Sequence, residues 1–321
     1  MAKQKNDLSL DSILQQYATE KETEFISTSS VVLDSLLGGG ISPGSMYCAW
    51  GCQGSGKSTI SFQILKSLLK KDMKCAFIDV EKAFNKNQQT TFGLREYVEN
   101  GQLTVLTVDN YDEIYKVCKA LAESDQYKLI VIDSETEIME AYAEDIDVTS
   151  NMPGQKARQS QKVLSALKSI FFKHNVASLW LCHARANLDM SGNPYAEKEK
   201  QAGGFGIKHT PDVIMKVQVG QKIKEGDQIE GQILHLMAEK NKFAKPFVKI
   251  DVKLYFGKGI NKKMEIINLA IDFGLIKQSG AYFTVGEKTV RGLSALQELD
   301  SQDLKALKEQ IMPLLHEKFQ A

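Results

Sequence analysis

The stretch Gly51-Cys-Gln-Gly-Ser-Gly56-Lys57-Ser58-Thr59 constrains the fold of this chain more than any other feature. It satisfies G-x-x-x-x-G-K-[ST] in full, a glycine-rich turn whose backbone N–H groups cradle phosphates. A short apolar run, Ser45 to Trp50, precedes it, and Ile60, Ile64, Leu65, Leu68 and Leu69 follow at helical spacing. Strand, turn and helix is the order phosphate binding needs, because a helix start leaves N–H donors unbonded and concentrates positive potential. Gly51, Cys52, Gln53, Gly54, Ser55 and Gly56 are the expected cradle. Lys57 would reach the β- and γ-phosphates, Ser58 would take one position on Mg²⁺, and Thr59 completes the motif.

Bulk properties narrow the class. A chain of 321 residues with 43% apolar content supports one sizeable core and a smaller satellite domain. Forty basic residues balance forty acidic ones, so contact with a polyanion must come from local patches rather than a whole-molecule field. Cys48, Cys52, Cys75, Cys118 and Cys182 lack C-x-x-C spacing and lie mainly in apolar runs, which reads as core thiols in a reducing compartment. The first residues are polar, and no apolar run reaches the 18 residues of a membrane span. The expectation is a cytoplasmic protein without a membrane partner.

Leu8, Leu10, Ile13, Leu14 and Tyr17 recur at helix-like spacing and predict a short amphipathic arm. Beyond it, strand candidates Lys74 to Asp79, Leu103 to Val108, Lys128 to Asp133 and Ala177 to His183 alternate with helices over 111–124 and 156–174. Such alternation predicts an α/β fold with a mostly parallel sheet covered on both faces. After Pro211 come consecutive strands, Val213 to Val219, Gln232 to Met237 and Val248 to Phe256, expected as antiparallel additions to the same sheet. A small α+β terminal domain closes the chain, with helices Met264 to Phe273 and Asp303 to Phe319 around a strand pair near Tyr282 to Val285. The division is 1–28 as arm, 29–262 as core and 263–321 as terminal domain. Two segments resist assignment, Ala141 to Gly154 and Ala184 to Gly204, and loops of such length in a compact domain are functional or disordered.

Chemistry-bearing residues sit where apolar runs end. Asp133 closes Leu129-Ile-Val-Ile132 at the carboxyl edge of a central strand, where it would hold Mg²⁺ through water. The alternative is a strand-end cap. Glu81, after Cys75-Ala-Phe-Ile-Asp-Val80, is the candidate for polarising an attacking water, against a merely solvated glutamate. His183 ends Ser178-Leu-Trp-Leu-Cys182 and either reports on a γ-phosphate or is structural. Alternation sends Lys240 and Lys242 to one face of a strand, suited to a phosphate or to solvent.

Taken together these residues resemble the RecA family of recombinases, particularly the RecA and UvsX-type proteins of bacteria and their phages. The likeness runs from about Glu24 to the C-terminus. It is carried by Phe25-Ile-Ser-Thr-Ser-Ser30 with Leu33-Asp34 and Leu37-Gly38, by Cys75 to Glu81, and by Ile130-Val-Ile-Asp-Ser134. It continues through Gly203-Gly204 with Lys208, Lys240-Asn-Lys242, Tyr255-Phe-Gly-Lys-Gly-Ile-Asn261, and Phe273-Gly-Leu-Ile-Lys277 with Gly280-Ala-Tyr282.

The resemblance implies a RecA-like P-loop NTPase core using ATP and Mg²⁺. It implies self-assembly into a helical filament or ring on single-stranded DNA, pairing with homologous duplex DNA, strand exchange and DNA-stimulated ATP hydrolysis. It makes Glu81 the catalytic glutamate and puts His183 where the family senses the γ-phosphate. Lys240 and Lys242 become lysines that reach the ATP of the adjacent subunit. The two unassigned segments match DNA-binding loops, with Lys156 and Arg158 near the first and Arg185, Lys198, Lys200, Gly203, Gly204 and Lys208 around the second. A single-strand-binding protein or loader is a further implied partner.

The chain also departs from the family pattern. Gln88 stands where RecA stacks a tyrosine on adenine, the arm is shorter and lacks its small strand, and there is no long acidic tail. These departures keep a second reading open, an ATP-binding mediator that loads or caps another recombinase. A hexameric helicase motor is a third reading, disfavoured because the terminal segment matches the recombinases.

Overall fold

The computed structural model describes residues 24–138, 153–186, 199–202, 205–225 and 227–320. Its elements, in chain order, are α1 (Val31–Leu36), β1 (Met46–Gly51), α2 (Lys57–Leu69), β2 (Lys74–Asp79), α3 (Lys86–Thr91), α4 (Arg95–Glu99), β3 (Leu103–Leu106) and α5 (Tyr111–Glu123). There follow β4 (Tyr127–Asp133), α6 (Pro153–His174), β5 (Ala177–Ala186), β6 (Glu199–Gln201), α7 (Phe205–His209), β7 (Val213–Glu225), β8 (Gln228–Asn241), β9 (Lys249–Tyr255) and β10 (Gly259–Ile260). The remainder is α8 (Lys262–Asp272), β11 (Ile276–Ser279), β12 (Tyr282–Val285), β13 (Lys288–Arg291), α9 (Leu293–Leu296) and α10 (Ser301–Gln320). A predicted arm over residues 8 to 21 lies outside the described residues.

The large sheet runs β10-β9-β8-β7-β1-β5-β4-β2-β3, with β6 attached to β5. Its middle strands are buried on both faces, and their alternating side chains feed two separate cores. From β1, Tyr47 and Ala49 join Phe77, Val131 and Leu179 beneath α2, whose Ile60, Ile64, Leu65 and Leu68 belong to the same cluster. From the same strand, Met46, Cys48 and Trp50 join Ile78, Ile132 and Trp180 beneath α5 and α6. Period-2 alternation thus places the P-loop strand between two apolar layers that hold it rigid.

The sequence expectation of a mostly parallel sheet with antiparallel additions holds, with one correction. β7 pairs parallel with β1, as β5 does on the other side, while β8, β9 and β10, and the short β6 on β5, are antiparallel. The chain returns through α7 to the end of the sheet from which β1 starts, so the next strand runs the same way. The β7–β8 ladder also extends to Glu225 and Gln228, well past the apolar residues. Backbone pairing in a hairpin needs no burial, so the polar run Gln221 to Glu225 carried no strand signal. The expected strand pair near Tyr282 is a three-stranded sheet, β11-β12-β13.

The terminal section packs into the same core as the sheet. Met264, Ile267, Phe283, Ile311, Leu315 and Phe319 share a cluster with α1 and α2. The tie between α8 and α1 is polar as well. The buried Glu265 carboxylate accepts from the Ser30 hydroxyl and from the Val31 N–H at 2.9 Å, while Ser30 itself caps α1 through the Leu33 N–H at 3.1 Å. Residues 24 to 28 join the core too: Ile26 bridges to Ile41, and the Phe25 ring packs edge-on against Phe243.

Candidate active site

In-register parallel pairing assembles the site. Gly51 at the end of β1 stands opposite His183 of β5, and Asp79 at the end of β2 stands opposite Asp133 of β4. All four therefore sit at the carboxyl edge of the sheet, where open α/β sheets take ligands. Gly51 is glycine for packing: a Cβ there would lie 2.1 Å from the Val217 carbonyl oxygen. Gly56, the residue before α2, has φ 88°, a left-handed conformation that admits glycine at little cost.

Lys57 is buried, and its ammonium donates to the carbonyls of Gly51 at 2.9 Å and Cys52 at 2.8 Å. Burial lowers its pKa, while the nearby Asp133 and Glu81 carboxylates pull it back up. Gln53 and Gly54 are exposed at the tip of the turn, and Ser55 is buried under it. The Ser58 hydroxyl donates to Asp133 Oδ2 at 2.7 Å. Burial pushes the Asp133 carboxyl up to about 6, partly offset by that hydrogen bond. A hydroxyl and a carboxylate meeting beside a glycine cradle are the hard oxygen donors that Mg²⁺ prefers, so these residues fit the ion.

The second constellation joins β2 to β5. The N–H groups of Val80 and Glu81 both donate to the Asp133 carbonyl, at 2.8 and 3.2 Å, which fixes where Glu81 leaves the sheet. Glu81 Oε1 then lies 2.8 Å from His183 Nε2. That hydrogen bond is the main reason the Glu81 carboxyl is held below the usual carboxylate range, against the opposing effect of burial. The His183 N–H in turn donates to Thr136 Oγ1 at 2.9 Å, and ligand-type oxygens or nitrogens of Glu81, Glu137 and His183 all lie within 4.8 Å of one another. Thr136 and Glu137 were not picked out in the sequence, because Glu135 to Ile138 carries neither motif nor periodicity.

Lys240 and Lys242 lie elsewhere. The Lys240 ammonium donates to the His209 carbonyl at 2.6 Å, and Lys242 pairs with Asp212 Oδ1 at 2.8 Å. Asp212 also pairs with Lys168 at 2.7 Å and is tied to Met46 at the amino end of β1. Burial opposes ionisation of Asp212, but the bonds from Lys168 and Lys242 hold its carboxyl below the usual range. Since β1 spans Met46 to Gly51 at roughly 3.3 Å per residue, this cluster is on the order of 16 Å from the P-loop of its own chain. Lys168 and Asp212 are additions that only the tertiary structure reveals.

Of the residues expected to meet DNA, Arg158 is exposed on α6 and Lys208 is half-buried on α7. Arg185 and Lys200 face each other across the β5–β6 ladder. Lys198, Gly203 and Gly204 lie outside the described residues, as does the side chain of Lys156. β6 is anchored on the P-loop strand: Gln201 Nε2 donates to Cys48 Sγ at 3.1 Å, and Cys52 Sγ to Glu199 Oε1 at 2.9 Å. All five cysteines are free thiols, and Cys52 is half-buried in the turn rather than in the core. Gln88 is half-buried on α3, its N–H accepted by Asn85 Oδ1 at 3.1 Å.

A glycine cradle on a central parallel strand, its lysine, a hydroxyl–carboxylate pair and a glutamate just past the end of β2 define a P-loop nucleotide-binding core of the RecA-like type. Comparison with known proteins narrows this. The family described as the RecA N-terminal domain matches residues 2–261. The protein called Protein RecA from Ruminococcus albus is 30% identical over 269 residues, 83% of this chain and 66% of that protein. Protein RecA of Deinococcus radiodurans is 29% identical over 84% of this chain and 73% of its own, and that of Bordetella avium 29% over 83% and 73%. The chain belongs to the RecA family. Among the described residues, no helix is long and apolar enough to cross a membrane.

Proposed function

We propose that this chain is an ATP-dependent recombinase that assembles on single-stranded DNA, pairs it with a homologous duplex and exchanges strands, with ATP hydrolysis stimulated by the DNA. The observation that carries the reading is the Glu81–His183 hydrogen bond beside the P-loop, because His183 lies on the strand that runs directly into the segment expected to bind DNA. In this reading the P-loop N–H groups and Lys57 hold the triphosphate, and Glu81 orients and polarises the attacking water. Mg²⁺, held by Ser58 and, through water, by Asp133, would neutralise charge on the phosphates. A γ-phosphate competes for His183 or draws it, and the effect passes along β5 to residues 187–204.

Lys240 and Lys242 complete the site in trans. Their position at the opposite end of β1 keeps them from the chain's own phosphates, so they serve a neighbouring subunit, and hydrolysis depends on assembly. Arg158, Arg185, Lys200 and Lys208, with Lys156, Lys198, Gly203 and Gly204, contact DNA phosphates and sugars, which positions the strand without reading sequence. The protein acts in the cytoplasm, alongside a single-strand-binding protein or loader.

Electron microscopy of the protein with single-stranded DNA and a non-hydrolysable ATP analogue tests assembly. Helical filaments that also convert a homologous duplex in a strand-exchange assay are expected. Discrete oligomers with no exchange would leave a mediator instead.

A further inference from the structure

A second anion-attracting cavity begins at Thr59, the last residue of the P-loop motif, and runs along α2 away from the phosphate cradle. One side of the helix, Thr59, Gln63, Lys66 and Lys70, forms its wall at spacings of four, three and four residues, and the turn Gly257 to Lys262 forms the facing wall. The cavity has a volume of about 180 Å³. Four of its lining residues are lysines, Lys66, Lys70, Lys258 and Lys262, and among the described residues no acidic one lines it. The nearest carboxylates act from outside: Glu96 on Lys66, and Glu265 and Asp34 on Lys262.

Two further observations make this more than a charged surface. Gln63 Oε1 accepts from the Ile260 N–H at 2.6 Å, and the buried Gln63 Nε2 has no partner among the described residues. Ser67 supplies a hydroxyl beside it, already paired with Ser29 at 2.6 Å. Lys66 and Lys262 both have lowered pKa values, first from burial and then from repulsion by Lys70. A buried donor with nothing to bond and ammonium groups that repel one another are both relieved by a bound anion.

We propose that this cavity binds a small phosphate-bearing anion through Lys66, Lys70, Lys258, Lys262 and the Gln63 amide. From Thr59 to Lys70 the helix rises roughly 16 Å, at about 1.5 Å per residue, so the far end is a site distinct from the P-loop. A volume of this size takes a phosphate or pyrophosphate. The tetrahedral oxyanion matches the ammonium groups and the Gln63 amide donor.

Calorimetric titration of the full chain with pyrophosphate, in the Lys57→Ala background that removes the P-loop grip, tests this independently of the ATP site. One equivalent is expected to bind, and adding Lys70→Ala and Lys262→Ala is expected to weaken it by about tenfold or more. Both lysines are exposed, and unchanged ATP retention by the Lys70→Ala/Lys262→Ala chain with Lys57 intact confirms folding. If the Lys57→Ala chain does not fold, the native chain saturated with ADP gives the same readout. Absence of pyrophosphate binding, or binding indifferent to the two lysines, overturns the proposal. So does an oligodeoxynucleotide that binds through these lysines where pyrophosphate does not.

Discussion

Glu81 Oε1 and His183 Nε2 meet at 2.8 Å across the carboxyl ends of β2 and β5, two strands separated in the sheet by β4. The bond couples the group proposed to activate water to the strand that leads into the second expected DNA-binding segment. Replacing Glu81 with Gln keeps the side chain's size and removes its basicity. ATP retention is expected to stay near that of the native chain while turnover falls about a hundredfold or more. Unchanged turnover in a steady-state phosphate-release assay would contradict the role.

His183 also sets when Glu81 is ionised. Its hydrogen bond holds the Glu81 carboxyl low, so the carboxylate is charged through the neutral range and is lost only as pH falls through that lowered value. In His183→Ala the acid limb of turnover should move to higher pH, whereas His183→Gln, which restores a donor, should move it back. A pH–rate profile that does not shift between native and His183→Ala chains argues against the coupling.

Asp133 makes the opposite case. Its carboxyl titrates near 6 in the folded chain against an ordinary 3.8, so the cost of ionising it is absent below about 4 and grows as pH rises through 6. Asp133→Asn should therefore stabilise the nucleotide-free chain by about 2–3 kcal/mol at pH 8 and by nothing near pH 4. It should also weaken Mg²⁺-dependent nucleotide binding. Urea unfolding at the two pH values measures the first effect, and an equal change at both would contradict it.

Glu265 anchors the terminal section through the Ser30 hydroxyl and the Val31 N–H. Glu265→Ala leaves both donors buried without an acceptor and is expected to destabilise the fold by about 2–3 kcal/mol. A change below about 0.5 kcal/mol in chemical denaturation would show that α8 is held by its apolar contacts alone.

Lys242 is bound to Asp212 far from its own P-loop. Lys242→Ala should leave ATP binding by the isolated chain unchanged and lower turnover only under conditions where subunits assemble. A proportional loss in dilute, unassembled protein would place the lysine's role within one chain.

Much of this was legible in the sequence where local rules act alone. The P-loop spans nine consecutive residues, and its strand and helix each have one period, so motif, element and site could be read together. Asp133 and Glu81 were legible because a carboxylate at the end of an apolar strand lies at a sheet edge. What escaped reading depends on pairing between distant residues. The parallel placement of β7 beside β1 is a topological fact, and the Lys168–Asp212–Lys242 cluster joins three segments with no common spacing. The polar half of the β7–β8 hairpin is held by backbone bonds that leave no apolar trace.

The most direct test is ATP turnover by the full chain with and without single-stranded DNA, beside Glu81→Gln as control. The account predicts that DNA raises the rate severalfold in the native chain and leaves the variant near background. A native rate indifferent to DNA, with ATP bound normally, would contradict it.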